Sequence, residues 1–191
     1  MSTRVLETRL VFYAPKGEAV KATPATGGLI VETAGDRLSV SERSNQPPDA
    51  QSLLNTAARV LESTGLLRYR SYGLRFVGEF HDEHPHPIAA RIAKATLNGA
   101  ALQEALRQKV VAAEVVLTSF DEEARRYTLT LAPVGGSLGT HLVRAELAVH
   151  IEESLDVPGG VPTLHEALEA GHPRLERWTR AAIGLGGGNY T

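Results

Sequence analysis

Between residues 141 and 152, Val143, Ala145, Leu147, Val149 and Ile151 alternate with Arg144, Glu146, His150 and Glu152. Successive side chains of a strand point to opposite faces, so this segment belongs in a sheet with one face buried and the other polar. The same period recurs upstream. Over 4–14 it puts Leu6, Leu10 and Phe12 on one face and Arg9 on the other. Over 66–80 it sets Tyr72, Leu74, Phe76, Gly78 and Phe80 against Arg75 and Glu79, which predicts one long central strand. Two hairpins complete the set. One joins 27–33 to 37–43 through Gly35-Asp36 after a loop at 15–26, and the other joins 110–120 to 125–133 through Asp121, Glu122, Glu123 and Ala124. In the second, Val115 and Leu117 should share a buried side, as should Tyr127, Leu129 and Leu131.

Three runs have helical spacing instead. Over 48–64, Leu53, Leu54, Ala57, Ala58 and Leu61 form a stripe that starts after Pro47-Pro48-Asp49 and stops before Gly65. A second run holds Ile88, Ile92, Ala95, Leu102 and Leu106, with Asn98-Gly99 as an interruption. Near the C-terminus, Thr163 and Glu166 read as a capping box for a helix carrying Leu164 and Leu168. Pro173 then opens a new turn with Leu175, Trp178, Ala182 and Ile183 as its packing stripe.

Strands with one apolar face and helices with one apolar stripe bury both by stacking. The expectation is an α+β fold: a mixed or mostly antiparallel sheet of about six to seven strands with helices on one face. Residues 1–185 read as one domain, divisible into related halves at 1–80 and 87–185, with 186–191 a flexible Gly-rich tail. At 191 residues the chain is long enough for such a core. The absence of cysteine excludes disulfides, thiolate nucleophiles and thiolate-bound metal. No apolar run reaches the roughly 20 residues of a membrane helix, and Arg4 and Glu7 interrupt the first apolar pattern, unlike a secretion signal. A cytoplasmic address without membrane contact is the default.

The chemistry concentrates in FHDEHPHP, residues 80–87. His81, Asp82, Glu83, His84 and His86 are the ligand types a divalent metal takes, with His141, His150 or His165 as distant partners for a metal-dependent hydrolase. The cluster precedes a helix rather than sitting on one, lacks an i, i+4 histidine pair, and is stiffened by Pro85 and Pro87. A polar bend in which Asp82 or His84 caps the next helix needs no metal or other cofactor. For nucleophilic catalysis, Ser71, Ser119, Ser137 and Ser154 lack a strand-to-helix elbow, while His150 shares a strand face with Glu146 and Glu152. Nucleic-acid binding would rest on Arg68, Arg70 and Arg75 near Tyr69 and Tyr72. The net charge of −2 gives no overall attraction to nucleic acid, which is therefore not the expected partner.

Gly73, Leu74, Arg75 and Phe76, followed by Val77-Gly78-Glu79-Phe80, resemble the central strand, written roughly GLRY-N-R-I, of a sporadically distributed family of uncharacterised bacterial proteins. The preceding helix, the first strand and the ending LHEALEAGHPRLERWTRAAI at 164–183 are similar in placement, although that family's Asn and second Arg are absent here. The resemblance implies a single α+β unit and carries no catalytic residues. The expected function is protein interaction by a self-associating homo-oligomer, with unpaired sheet edges and Leu175 and Trp178 of the last helix as contacts.

Overall fold

A computed structural model describes residues 2–22, 29–88, 90–92, 114–135 and 139–184. Its frame is set by the two segments with the strongest alternation. Strands β5 (Ser71–His81) and β8 (Leu142–Ile151) pair antiparallel at the middle of the sheet, from Tyr72 opposite Ile151 to His81 opposite Leu142. Outward from β5 come β1 (Ser2–Tyr13), β3 (Arg37–Glu42) and β2 (Ile30–Ala34); outward from β8 come β7 (Arg126–Pro133) and β6 (Val115–Phe120). The order is β2-β3-β1-β5-β8-β7-β6, with every neighbouring pair antiparallel. This is the α+β architecture the alternating pattern requires.

One face of this sheet carries Leu10, Phe12, Leu38, Val40, Leu74, Phe76, Leu147 and Leu129, all buried in one continuous core. Two helices cover it. The first, α1 (Ala50–Ser63), starts where Asp49 accepts a hydrogen bond from the Gln51 N–H, and it buries Leu53, Leu54, Ala57, Val60 and Leu61. The second, α2 (His165–Gly184), buries Leu168, Gly171, His172, Leu175, Thr179 and Ile183 along one side and lies across β5, β8 and β7. Burying Leu168, Leu175 and Ile183 stabilises its docking by about 1.5–3 kcal/mol each. No helix among the described residues is long and apolar enough to cross a membrane.

Several local expectations change in the structure, each for a physical reason. The capping box at 163–166 does not form: Thr163 donates its hydroxyl back to the Gly160 carbonyl at 2.6 Å, inside a 3-10 turn (Val161–Leu164) that runs directly into α2. Pro173 does not begin a new element, and α2 continues through it. Its missing N–H frees the Glu169 carbonyl, but both residues lie on the exposed side, where solvent replaces the lost bond while the buried stripe stays unbroken. Leu6 drops out of the β1 core face because the register shifts between Val5 and Glu7, and Val5 comes opposite Gly78 instead.

The long strand predicted at 66–80 is broken at Arg70. Residues before the break form β4 (Arg68–Tyr69), which pairs with β9 (Leu155–Asp156) in a separate ribbon. At the break, the Arg70 N–H donates to the Tyr13 carbonyl at 2.9 Å, and its guanidinium donates to the Ala14 carbonyl and to Asp36. The chain thus changes partners while Tyr69 turns into the core, fully buried, with its ring against Phe12 and its hydroxyl 2.9 Å from that of Thr64. In the β6–β7 hairpin, Asp121 accepts hydrogen bonds from the Glu123 and Arg125 N–H groups and from the Tyr127 hydroxyl, and Ala124 sits at φ +57°. The expected continuation of a helix through Ala95, Leu102 and Leu106, the loop residues Gly136 and Ser137, and the 186–191 tail lie outside the described residues.

Candidate functional site

The histidine-rich bend is held by architecture at every residue whose contacts are described. His81 ends β5 on the surface, its ring 6.5 Å from that of His141, while the Asp82 N–H donates to the His141 carbonyl at 3.1 Å. The Asp82 carboxylate accepts from the Arg91 guanidinium, which is almost wholly buried in the helical turn that begins at residue 88. His84 turns back on its own loop, where Nδ1 accepts the His86 N–H at 3.1 Å. Among the described residues neither Asp82 nor His84 accepts a backbone N–H from the start of the following helix. Asp82 reaches it through Arg91, because a buried guanidinium needs a carboxylate more than an exposed helix end needs a cap. His84 and His86 stay together, with ring centroids 5.5 Å apart, while Asp82 turns to Arg91 and His81 lies near His141; among the described residues no three His, Asp or Glu side chains gather closely enough to hold a metal ion. His165 sits 3.7 Å from Glu169 on α2, and His150 lies on the sheet face beside Tyr13.

The three arginines singled out in the sequence do not form one patch. Arg68 pairs with Asp156 across the small ribbon at 2.6 Å, Arg70 with Asp36, and Arg75 with Glu146 at 2.6 Å on the sheet face opposite the helices. That face was only partly legible from single strands, because its composition is fixed by register. Across β1, β5, β8, β7 and β6 one row reads Val11, Gly73, His150, Arg126 and Phe120, and the next reads Arg9, Arg75, Ala148, Thr128 and Thr118. Tyr13, opposite Arg37, lies at the end of the row above. Burial, with the nearby Arg126 and Arg70 charges, holds the His150 imidazole below its ordinary pKa against the opposing pull of Glu152.

The anticipated contact residues of α2 separate. Leu175 is 1% exposed and packs toward β5 beside Gly78, so it belongs to the core rather than to any outer surface. Trp178 is half-buried, its ring edge-on to Tyr127 with centroids 5.5 Å apart. Apolar exposure collects instead on β6, which pairs only with β7 among the described residues. There Val116 is 57%, Leu117 45% and Phe120 68% exposed. Leu117 has the core-side parity expected for it, but at the end of the sheet it projects past the buried layer. The opposite edge, β2, carries Glu32, which pairs with Arg9 at 3.2 Å.

Compared with family models, curated proteins and solved structures, the chain matches none.

Proposed function

We propose that the protein is a self-associating interaction module in which the β6 edges of two copies pair antiparallel about a two-fold axis. The observation that carries this reading is β6 itself. Its sequence, VVLTSF, has no charge, proline or glycine, and five of its six residues are exposed on a strand with one side unpaired among the described residues. Proteins that keep their edges apart place charges, prolines or bulges there, as the glutamate of β2 illustrates. A second β6 would satisfy the free backbone groups, extend the antiparallel order, and cover Val116 and Leu117. Two-fold pairing of identical patches is also the commonest way for a single chain to close an assembly. A six-residue edge buries less than the roughly 1,200 Å² of a standard interface, so the affinity belongs on the order of 10 μM rather than in the nanomolar range.

Sedimentation equilibrium from low to high micromolar concentration tests this. The wild type is expected to show a monomer–dimer equilibrium. Val116→Lys and Leu117→Lys should give monomers at all concentrations with unchanged melting temperature, since exposed substitutions cost within about 0.5 kcal/mol. A wild type that stays monomeric, or a dimer indifferent to both lysines, would overturn the reading.

A further inference from the structure

We propose that the sheet face opposite the helices binds single-stranded nucleic acid, laid across the strands from the Tyr13 end of β1 toward Phe120 on β6. The centre of this face is a shallow depression of about 230 Å³ floored by Val11, Gly73 and Ala148. Gly73 keeps the floor low: a Cβ there would stand 2.7 Å from the Val149 carbonyl oxygen, too close for any larger residue without a backbone shift. Around the floor stand Arg9, Arg37, Arg75 and Arg126 with Tyr13 and His150, and among the described residues no carboxylate lines it, Glu152 standing outside it 3.8 Å from His150. Arg9 and Arg75 already hold glutamates, but Arg37 and Arg126, on opposite sides of the depression, have no carboxylate partner among the described residues. Two such guanidiniums flanking an acid-free hollow complement an anion.

The planar groups narrow the class of anion. Tyr13 and His150 meet edge to face with centroids 5.9 Å apart, and the Arg70 guanidinium lies 5.8 Å from the Tyr13 ring centroid. Burial, then the Arg126 and Arg70 charges, lower the His150 pKa against the pull of Glu152, which favours the flat neutral ring over another charge. Phe120 stands in the same row, two strands beyond His150 or about 9–10 Å away, with Arg126 between them. Stacking platforms alternating with guanidiniums along a row of partly or fully exposed positions suit unpaired bases and the phosphates that join them. The hollow is smaller than the roughly 300–1,000 Å³ that encloses a small molecule, which favours a strand lying across it over a swallowed mononucleotide.

Fluorescence anisotropy of labelled oligo(dT) and oligo(U) with the full chain at low salt tests the proposal, with a mononucleotide and polyglutamate as competitors. Saturable binding is expected, weakening as salt rises. The Arg37→Ala/Arg126→Ala double variant should bind at least tenfold more weakly and reduce the slope of log K against log salt by about 1.4, two contacts at roughly 0.7 each. Tyr13→Ala and His150→Ala should each weaken binding about tenfold, with thermal melts confirming that both remain folded. Arg177→Ala, exposed on α2, and Leu117→Lys, on the other face of β6 from Phe120, should bind as the wild type does. No binding at low salt, an equal loss in Arg177→Ala, or displacement by polyglutamate or the mononucleotide as effective as by the oligomer would overturn it. The Leu117→Lys result separates this site from self-association, on which it does not rest.

Discussion

Substituting Gly171 by alanine probes the contact on which the docking of α2 depends. A Cβ at this position would fall on three atoms of the Phe76 ring, well inside the 3.4–4 Å of ordinary contact, so helix and ring must separate by more than an ångström. The ring has nowhere to go, because Phe76 is fully buried and meets His172 edge-on with centroids 5.2 Å apart. Lifting the helix instead stretches the 2.6 Å hydrogen bond between His172 Nε2 and the Thr8 hydroxyl. Overpacking costs about 1–3 kcal/mol and leaving that buried pair unsatisfied about 1–3 kcal/mol more. Alanine's better helix propensity offsets about 1 kcal/mol. The net expectation is a destabilisation of about 3 kcal/mol, read in urea unfolding as a lower midpoint at constant m-value. Phe76→Leu in the same chain should recover part of the loss, so that the double variant is less destabilised than the sum of the singles. An alanine variant as stable as the wild type, or more so, would mean that helix propensity alone acts at this position and that the glycine–phenylalanine contact does not set the packing.

Three further expectations follow from particular residues. Burial lowers the pKa of His172 from its ordinary 6.5 to about 4, so the unfolded chain binds the proton more readily than the native one. Stability should be intact above pH 6.5 and lost as the pH falls toward 4, by up to about 3 kcal/mol; thermal melts against pH should show a shallower acid slope in His172→Gln than in the wild type. Ala124 holds φ +57°, a conformation costing a side-chain-bearing residue about 1–2 kcal/mol, partly offset in glycine by greater unfolded freedom. Ala124→Gly should therefore raise the melting temperature by roughly 1–3 °C, and a decrease would contradict the strained turn. Asp82→Asn should cost about 3 kcal/mol by leaving the buried Arg91 charge without its carboxylate, whereas Glu83→Ala, exposed one residue away, should change the urea midpoint little; equal effects would argue against the ion pair as the bend's anchor.

The sheet was legible wherever a strand has one buried face, because a two-residue period survives in the residues themselves. Val143 through Ile151 and Leu74 through Phe80 show this, as does the stripe of α1 with Asp49 before it. What was not legible depends on partners distant in sequence. Arg70 looks like one more polar position in an alternating strand until Tyr13, Ala14 and Asp36 are seen to claim its backbone and side chain. Pro173 reads as a boundary because local rules do not reveal that its side of the helix is wet. Leu117 keeps the parity of a core residue, yet its strand is the last in the sheet, and strand order is not written in strand pattern. The candidate sites divide in the same way. The histidine cluster was conspicuous because its members are adjacent in sequence, yet among the described residues the fold leaves only His84 and His86 together and gathers no third ligand with them. Arg37, Arg126 and Tyr13 escaped notice, and Arg9 and His150 were seen only as polar positions of separate strands, because only the register across five strands puts them on one face.

Concentration-dependent hydrogen exchange at the amides of 115–120 tests the central claim most directly. Amides of a free edge exchange with solvent, while those of a paired one are protected. If two β6 strands pair, the outward-facing amides of this segment should gain protection as protein concentration rises through the dissociation constant, and Leu117→Lys should abolish the gain. Exchange of those amides that is equally fast at every concentration would contradict self-association through this edge.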